Sequence, residues 1–181
     1  TYRLSDEAFF NTRFAVPYTF LNPRVGVTLF PERPVRAYAS LAYAEREPRL
    51  KNLYDADEAA SGARPLFASR ADGTPDYARP LVHPERALNL EVGGAATMGN
   101  LRAALNLYGM WFRDEIVPSG GLDQFGVPRT GNAARTRHTG AEAEVALRLL
   151  DGLLLEGSAT ASDDRFVRFT EFGTDGNGET T

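Results

Sequence analysis

The chain has 181 residues, a formal net charge of -4 and no cysteine. Disulfides, thiolate nucleophiles, cysteine-ligated zinc and iron–sulfur clusters are therefore excluded, and the acidic balance lacks the basic footprint of a nucleic-acid binder. Two histidines, His83 and His138, are too few to hold a metal without carboxylates. Lys51 is the sole lysine among 20 basic residues, which reads as the codon bias of a GC-rich genome. No run of about 18 apolar residues occurs, so no helix could cross a bilayer. The chain opens at Thr1-Tyr2-Arg3-Leu4, with neither an initiator Met nor the apolar stretch of a signal peptide, and reads as a mature product or an excised piece. Mean hydropathy of -0.33 fits a soluble domain. It fits a transmembrane β-barrel equally well, because there lipid-facing and lumen-facing residues alternate.

The apolar pattern is strand-like from residue 22 onward. Over 22–30, Val25, Val27 and Leu29 share one parity, and Arg24, Gly26 and Thr28 the other. Over 35–43, Val35, Ala37, Ala39, Leu41 and Tyr43 oppose Arg36, Tyr38, Ser40 and Ala42. The stretch 45–84 is mixed. A short helix is expected within 49–60, with Leu50, Leu53 and Tyr54 on one side, and irregular loop over 71–80 with Asp72-Gly73 as a turn. From Leu88, the apolar set Leu88, Leu90 and Val92 opposes Asn89, Glu91 and Gly93. Over 101–113, Leu101, Ala103, Leu105, Leu107 and Trp111 oppose Arg102, Asn106 and Tyr108. Over 136–149, Ala141, Ala143, Val145 and Leu147 oppose His138, Glu142, Glu144 and Arg148. Over 153–162, Leu155, Gly157, Ala159 and Ala161 oppose Glu156, Ser158, Thr160 and Ser162.

A helical alternative exists for 141–155, which is rich in Ala, Leu and Glu. Strands are favoured by apolar parities free of charge over roughly 9–11 residues, the length a tilted strand needs to cross a bilayer. Internal glycines such as Gly26, Gly93, Gly140 and Gly157 suit strands of a barrel wall better than helices. The segments also pair around the short turns Pro31-Glu32-Arg33-Pro34, Met98-Gly99-Asn100 and Leu150-Asp151-Gly152. Long polar stretches, at about 45–84, about 114–131 and from 163 on, separate the pairs. Short turns on one side and long loops on the other are a signature of outer-membrane barrels.

Several stretches resemble the barrel of TonB-dependent outer-membrane receptors. They are Asn22-Pro23-Arg24-Val25-Gly26-Val27, Tyr38-Ala39-Ser40-Leu41-Ala42-Tyr43-Ala44 and Arg46-Glu47-Pro48 leading to Leu53-Tyr54. They continue with Pro84-Glu85 before Asn89-Leu90-Glu91-Val92-Gly93, and Asn106-Leu107-Tyr108 running to Phe112-Arg113-Asp114-Glu115. Asn132-Ala133 followed by Gly140-Ala141-Glu142-Ala143-Glu144 resembles the family's asparagine and G-x-E-x-E strand. The resemblance implies an all-β, antiparallel up-and-down transmembrane β-barrel segment of about six to eight strands. Family barrels have about 22 strands around a plug, and the smallest single-chain outer-membrane barrels about eight. Residues 1–181 are therefore expected to be part of a receptor barrel without its plug domain, with flanking sequence on both sides.

Catalytic chemistry finds no support. Glu142 and Glu144 could form a paired-carboxylate site, but on a strand they read first as a solvated lumen wall. The same wall is expected to carry Arg36, Glu91, Arg102 and His138. His83, beside Pro84, reads as a surface residue. Asp175-Gly176-Asn177-Gly178-Glu179 begins like a calcium loop but has Thr180 where the pattern needs Gly. Gly93-Gly94 to Gly99 lacks the Lys-Ser/Thr of a phosphate loop. No metal or cofactor is expected. Trp111, Phe112, Phe166, Phe169 and Phe30 are candidates for interfacial aromatic girdles.

A cationic-aromatic set in the first long loop, Arg46, Arg49, Lys51, Tyr54, Arg64, Arg70 and Tyr77, is expected to meet a ligand. Arginine with tyrosine suits anionic iron chelates. The resemblance implies an energised transporter in the bacterial outer membrane that takes up a scarce bulky nutrient. A ferric siderophore is the first expectation, with cobalamin or an oligosaccharide next. Its partners would be outer-membrane lipid and the TonB energy-coupling protein, reached through the plug. A passive porin-like barrel and a soluble β-rich binding module are the other readings.

Overall fold

The structure is a computed structural model, and it describes residues 2–6, 12–54, 65–122 and 128–169. Six long strands form one antiparallel sheet: β3 (Arg24–Leu29), β4 (Val35–Arg46), β7 (Glu85–Met98), β8 (Leu101–Leu122), β9 (Pro128–Leu150) and β10 (Leu153–Arg168). Their spatial order is β10-β9-β8-β7-β4-β3, so chain neighbours in this set are sheet neighbours. Two further hairpins stand apart, β1 (Tyr2–Asp6) with β2 (Thr12–Val16), and β5 (Phe67–Ser69) with β6 (Pro75–Pro80). A single helical turn, α1 (Leu50–Leu53), follows β4.

The register fixes which residues share a face. Leu41 pairs with Leu90, Leu90 with Gly109, and Gly109 with Thr139. Val92 pairs with Leu107, which pairs with Ala141. These belong to one apolar face, most of whose large side chains on β3, β4, β7 and β8 are between 40% and 67% exposed. The opposite face carries Arg36, Tyr38, Glu91, Asn106 and Glu142. On β8 the apolar parity runs from Leu101 to Trp111 without a charge. At roughly 3.4 Å per residue and a tilt near 45°, that run rises about 24 Å, close to the apolar band of a membrane barrel. This is the wall of a partial transmembrane β-barrel.

Glycines let aromatic rings bridge the polar face. The Tyr38 ring crosses Gly93, where a Cβ would stand 2.5 Å from it. Its hydroxyl donates to Asn106 Oδ1 at 2.9 Å, and Asn106 Nδ2 donates to Glu142 Oε2 at 3.2 Å. One chain of hydrogen bonds thus ties β4, β8 and β9 across β7. Tyr108 likewise covers Gly140. The turns are the expected ones, with Gly99 at φ 58° and Gly152 at φ 88° in the left-handed region that favours glycine.

The buried apolar cluster among the described residues lies beyond the sheet, at its long-loop end. Phe14, Val16, Leu53, Tyr54, Phe67 and Val82 pack together there. Phe14 stacks on Tyr77 at 5.4 Å and meets Phe67 edge-on at 5.0 Å. Backbone bonds from Leu66 to Leu53 at 2.7 Å and from Leu81 to Leu66 at 2.9 Å join α1 to the β5–β6 hairpin.

Three sequence expectations are corrected. Residues 114–131 are not a long loop; β8 and β9 continue through them on both sides of residues 123–127, which lie outside the described residues. The loop expected from 163 on begins later, because β10 reaches Arg168. The irregular stretch 71–80 contains β6, with Pro75 and Pro80 at the strand ends where a missing N–H does least harm. The short helix expected within 49–60 is present as Leu50–Leu53; residues 55–64 lie outside the described residues. No element was expected before residue 22, yet β1 and β2 form a hairpin.

A Cβ at Gly140 would lie 2.6 Å from the Ala161 carbonyl oxygen, whereas Gly157 has open space. In the full-length protein, Gly140→Ala is expected to lower stability by about 1–3 kcal/mol, and Gly157→Ala to stay within about 0.5 kcal/mol. Thermal melting in detergent checks this; equal melting temperatures for the two variants would contradict the close packing.

Candidate functional site

At the long-loop end, the polar face of the sheet opens into a cleft of about 220 Å³. The end of β4 and the start of α1 bring Arg46, Arg49 and Lys51 to it. Ile116, Val117 and Pro118 of β8 supply an apolar side, with Asn52, Thr130 and Glu47 completing the rim. Asn52 Nδ2 donates to Thr130 Oγ1 at 3.1 Å, and Asn52 Oδ1 accepts the Arg49 amide at 3.0 Å. Asn52 thereby closes the helical turn and fastens it to β9.

Arg46 pairs with Glu85 at 2.9 Å while its own side chain stays 63% exposed. Glu85 is buried, and its other oxygen accepts the Ile116 amide at 3.1 Å. Burying a carboxylate is costly unless it is paired and hydrogen-bonded; here both conditions hold. Arg49 and Lys51 form no ion pair among the described residues, so their charge remains available. The cleft can therefore grip an anion that also presents an apolar surface.

The seven loop residues expected to meet a ligand are divided by the structure. Arg46, Arg49 and Lys51 come together at the cleft. Tyr54 is only 2% exposed and belongs to the loop core, as does Tyr77 through its stack on Phe14. Those two aromatics pack inside the loop because its hairpins need a core of their own. Arg70 lies at the β5–β6 turn and pairs with Asp76 at 3.5 Å. In the same turn, hydrogen bonds from the Thr74 hydroxyl and amide hold the Asp72 carboxyl below the usual carboxylate range. Arg64 lies outside the described residues.

The register gathers Arg36, Glu91, Arg102, His138, Glu142 and Glu144 on the polar face. Arg102 and Glu144 line a second concavity of about 410 Å³ toward the short turns, together with Glu156 and Ser158. His138 sits between two carboxylates, with Nδ1 2.9 Å from Asp164 and Nε2 3.3 Å from Glu115. These acids occupy opposite sides of the imidazole, so the three do not converge on one ion. Asp114 has a left-handed φ of 57°, which turns Glu115 out of parity and onto the face of Thr136 and His138. Phe112 also lies on this face, edge-on to His138 at 5.3 Å, so it does not share an interfacial girdle with Trp111.

Two polar anchors escape sequence reasoning about function. Asn132 accepts the His83 amide at 2.8 Å and donates to the His83 carbonyl at 2.9 Å and the Asp114 carbonyl at 2.6 Å. Asn22 makes the same two-way contact with the Glu45 backbone, at 2.8 and 3.3 Å. Each side-chain amide stands in for a peptide unit where a ladder ends. Both asparagines open stretches that carry the family likeness, but nothing local shows which distant backbone they meet.

An exposed apolar sheet face below a folded loop region defines the wall of a partial membrane β-barrel. The sequence matches the family described as "TonB dependent receptor-like, beta-barrel" over residues 2–180, and the chain belongs to that family. The family is one of receptor-like β-barrels and is not enzymatic. Two similar solved structures are variants of the FrpB iron transporter from Neisseria meningitidis, both 25% identical. The F3-3 variant has a TM-score of 0.58 over 80% of this chain and 20% of its own. The F5-1 variant, in apoprotein form, has a TM-score of 0.60 over 86% and 21%. A structure titled copper transporter OprC shares the fold at 19% identity and TM-score 0.56, over 79% of this chain and 20% of that one. The chain thus spans about a fifth of these transporters. No curated protein sequence matches it.

Replacing Asn132 by Ala would remove three hydrogen bonds to backbone. Loss of about 1 kcal/mol at the anchor is expected to speed hydrogen exchange of the His83 amide about fivefold. Exchange measured by mass spectrometry tests this, and an unchanged rate would show that Asn132 does not hold the loop.

Proposed function

We propose that the chain is wall and loop of a larger plugged barrel in the bacterial outer membrane that imports an anionic iron chelate, a ferric siderophore first. The cleft of Arg46, Arg49 and Lys51 at the long-loop end carries this reading, because it offers two unpaired cations, Arg49 and Lys51, beside apolar Ile116 and Val117. A chelate that wraps a metal in anionic oxygens and an organic skeleton matches both features. The 25% identity to the FrpB iron transporters supports the cargo.

In this reading the arginines and Lys51 capture the chelate at the loops, and the polar face formed by Arg36, Glu91, Arg102, His138, Glu142 and Glu144 lines the lumen it then passes. The plug lies on that polar face. It moves when the TonB energy-coupling protein pulls on it. Six strands with edges at β3 and β10 leave unpaired backbone groups, which lipid does not tolerate. Further strands supply the missing partners.

Two measurements test the proposal. Deleting the whole gene is expected to abolish growth on a ferric siderophore as sole iron source; unchanged growth would remove iron from the reading. In the full-length receptor, Arg49→Gln with Lys51→Gln is expected to weaken ferric-siderophore binding roughly five- to tenfold, as for losing one or two charge-assisted contacts. The loss should shrink at high salt. Unaltered binding would show that the cleft is not the capture site.

A further inference from the structure

The apolar side of the cleft begins at a bend that polar contacts hold at three successive residues. Asp114 adopts a left-handed φ of 57°, which costs energy for a residue with a Cβ. Such a conformation persists only where its surroundings over-determine it. Here the Asp114 carbonyl accepts from Asn132 Nδ2 at 2.6 Å. The Glu115 carboxylate meets the Thr136 hydroxyl and His138 Nε2. The Ile116 amide donates to Glu85 Oε2 at 3.1 Å. Ile116, Val117 and Pro118 follow directly and line the cleft, so the bend sets where that wall stands.

The middle hold depends on a proton. His138 Nδ1 lies 2.9 Å from Asp164 Oδ1, and Nε2 lies 3.3 Å from Glu115 Oε2. A neutral imidazole has one N–H and can donate to one of these carboxylates; its bare nitrogen then faces the oxygen of the other. Only the imidazolium donates to both. The clasp is therefore complete while the ring carries two protons, and it loses one contact as pH rises through the titration of the ring. The neighbouring charges are engaged elsewhere. Arg113 of β8 projects to the apolar face. On that same face Asp163 of β10 pairs with Arg165 at 2.7 Å and with Arg137 of β9 at 2.9 Å. Glu85 of β7 is paired with Arg46 of β4, and Glu142 of β9 accepts from Asn106. The Ser162 hydroxyl donates to Asp164 Oδ2 at 3.2 Å, which leaves Oδ1 to the ring.

We propose that His138 is a positioning residue for the cleft: as imidazolium it ties Glu115 to Asp164 across β9, and so fixes the wall of Ile116, Val117 and Pro118 beside Arg49 and Lys51. When the ring is neutral, either Glu115 faces a bare nitrogen or the ring loses its anchor on β10. The holds through Asn132 and Glu85 remain, so the wall loosens without unfolding. A ligand must then order that wall as it binds, which costs affinity. Capture is accordingly tighter at acid pH. That consequence rests on the cleft being the capture site; the positioning does not.

The test reads hydrogen exchange of the Ile116 amide in the ligand-free full-length receptor in nanodiscs. Protection factors, corrected for intrinsic exchange, are compared at about pH 5.5 and about pH 8.5, on either side of the usual histidine range. In wild-type protein, protection at Ile116 is expected to fall about tenfold between the two, as for loss of one charge-assisted contact. Protection at Leu105, in the middle of β8, should stay constant. His138→Gln, neutral at both pH values, should show the lower protection throughout. Glu115→Gln supplies the missing donor, because its amide N–H can meet the bare Nε2 of the neutral ring. It should show the higher protection at both pH values. Constant protection at Ile116 in wild-type protein would overturn the proposal without recourse to any variant. A parallel fall at Leu105 would overturn it by showing general loosening. A fall that persists in Glu115→Gln would do so by placing the titrating group elsewhere. No ligand enters the measurement, so a cleft that proves not to bind ferric siderophores leaves this result standing.

Discussion

Water cannot be the solvent for both faces of this sheet. Strands β3, β4, β7 and β8 expose Val, Leu and Trp side chains in one continuous field, and each such residue left in water forfeits about 1.5–3 kcal/mol of burial. A soluble fold would cover that face with a second layer. None of the described residues packs on it; the buried apolar cluster sits at the long-loop end, among β2, α1, β5 and the segment around Val82. Lipid is the partner we propose to resolve the mismatch, since the charge-free height of the band suits a bilayer. The requirement for closure and the polar opposite face both follow from that one constraint.

The polar face shows how such a wall is kept rigid without a core behind it. Tyr38 reaches over Gly93 to Asn106, and Asn106 passes the hydrogen bond on to Glu142. Glycine is needed at that crossing because any Cβ would occupy the ring's place. Above the band, the loop region is held by side chains that imitate backbone, Asn22 on Glu45 and Asn132 on His83 and Asp114. The cationic cleft is therefore mounted on anchored structure. Preorganised charges of that kind lose less entropy on binding than charges on a free loop.

Much of this was legible in the sequence, and the reason is the period of two. Where one face meets lipid and the other water, alternation is enforced, and the strands around Leu41, Val92, Leu107 and Ala143 could be read from it. Above the membrane both faces of a hairpin are wet and alternation lapses. Residues 114–122 and 128–131 then read as loop, with Pro118, Gly120 and Gly121 adding turn chemistry, although β8 and β9 continue through them. The stretch 71–80 likewise read as loop around Asp72-Gly73, although β6 runs from Pro75 to Pro80. The cleft was half legible. Arg46, Arg49 and Lys51 are close in sequence and close in space, whereas Tyr54 and Tyr77 carry the same surface signature but are recruited into a core that only the long-range meeting of hairpins creates. Glu85 and Glu115 take their roles from partners about thirty and twenty residues away, beyond any local pattern.

The absence of cysteine in this chain makes the central claim directly measurable. Single substitutions Leu105→Cys and Asn106→Cys in the full-length receptor would place a nitroxide label on adjacent residues of β8. In bilayers, Leu105 should be accessible to oxygen dissolved in the lipid and shielded from an aqueous nickel chelate, and Asn106 should show the reverse. If both positions respond equally to the aqueous quencher, the apolar face does not meet lipid and the barrel account is wrong.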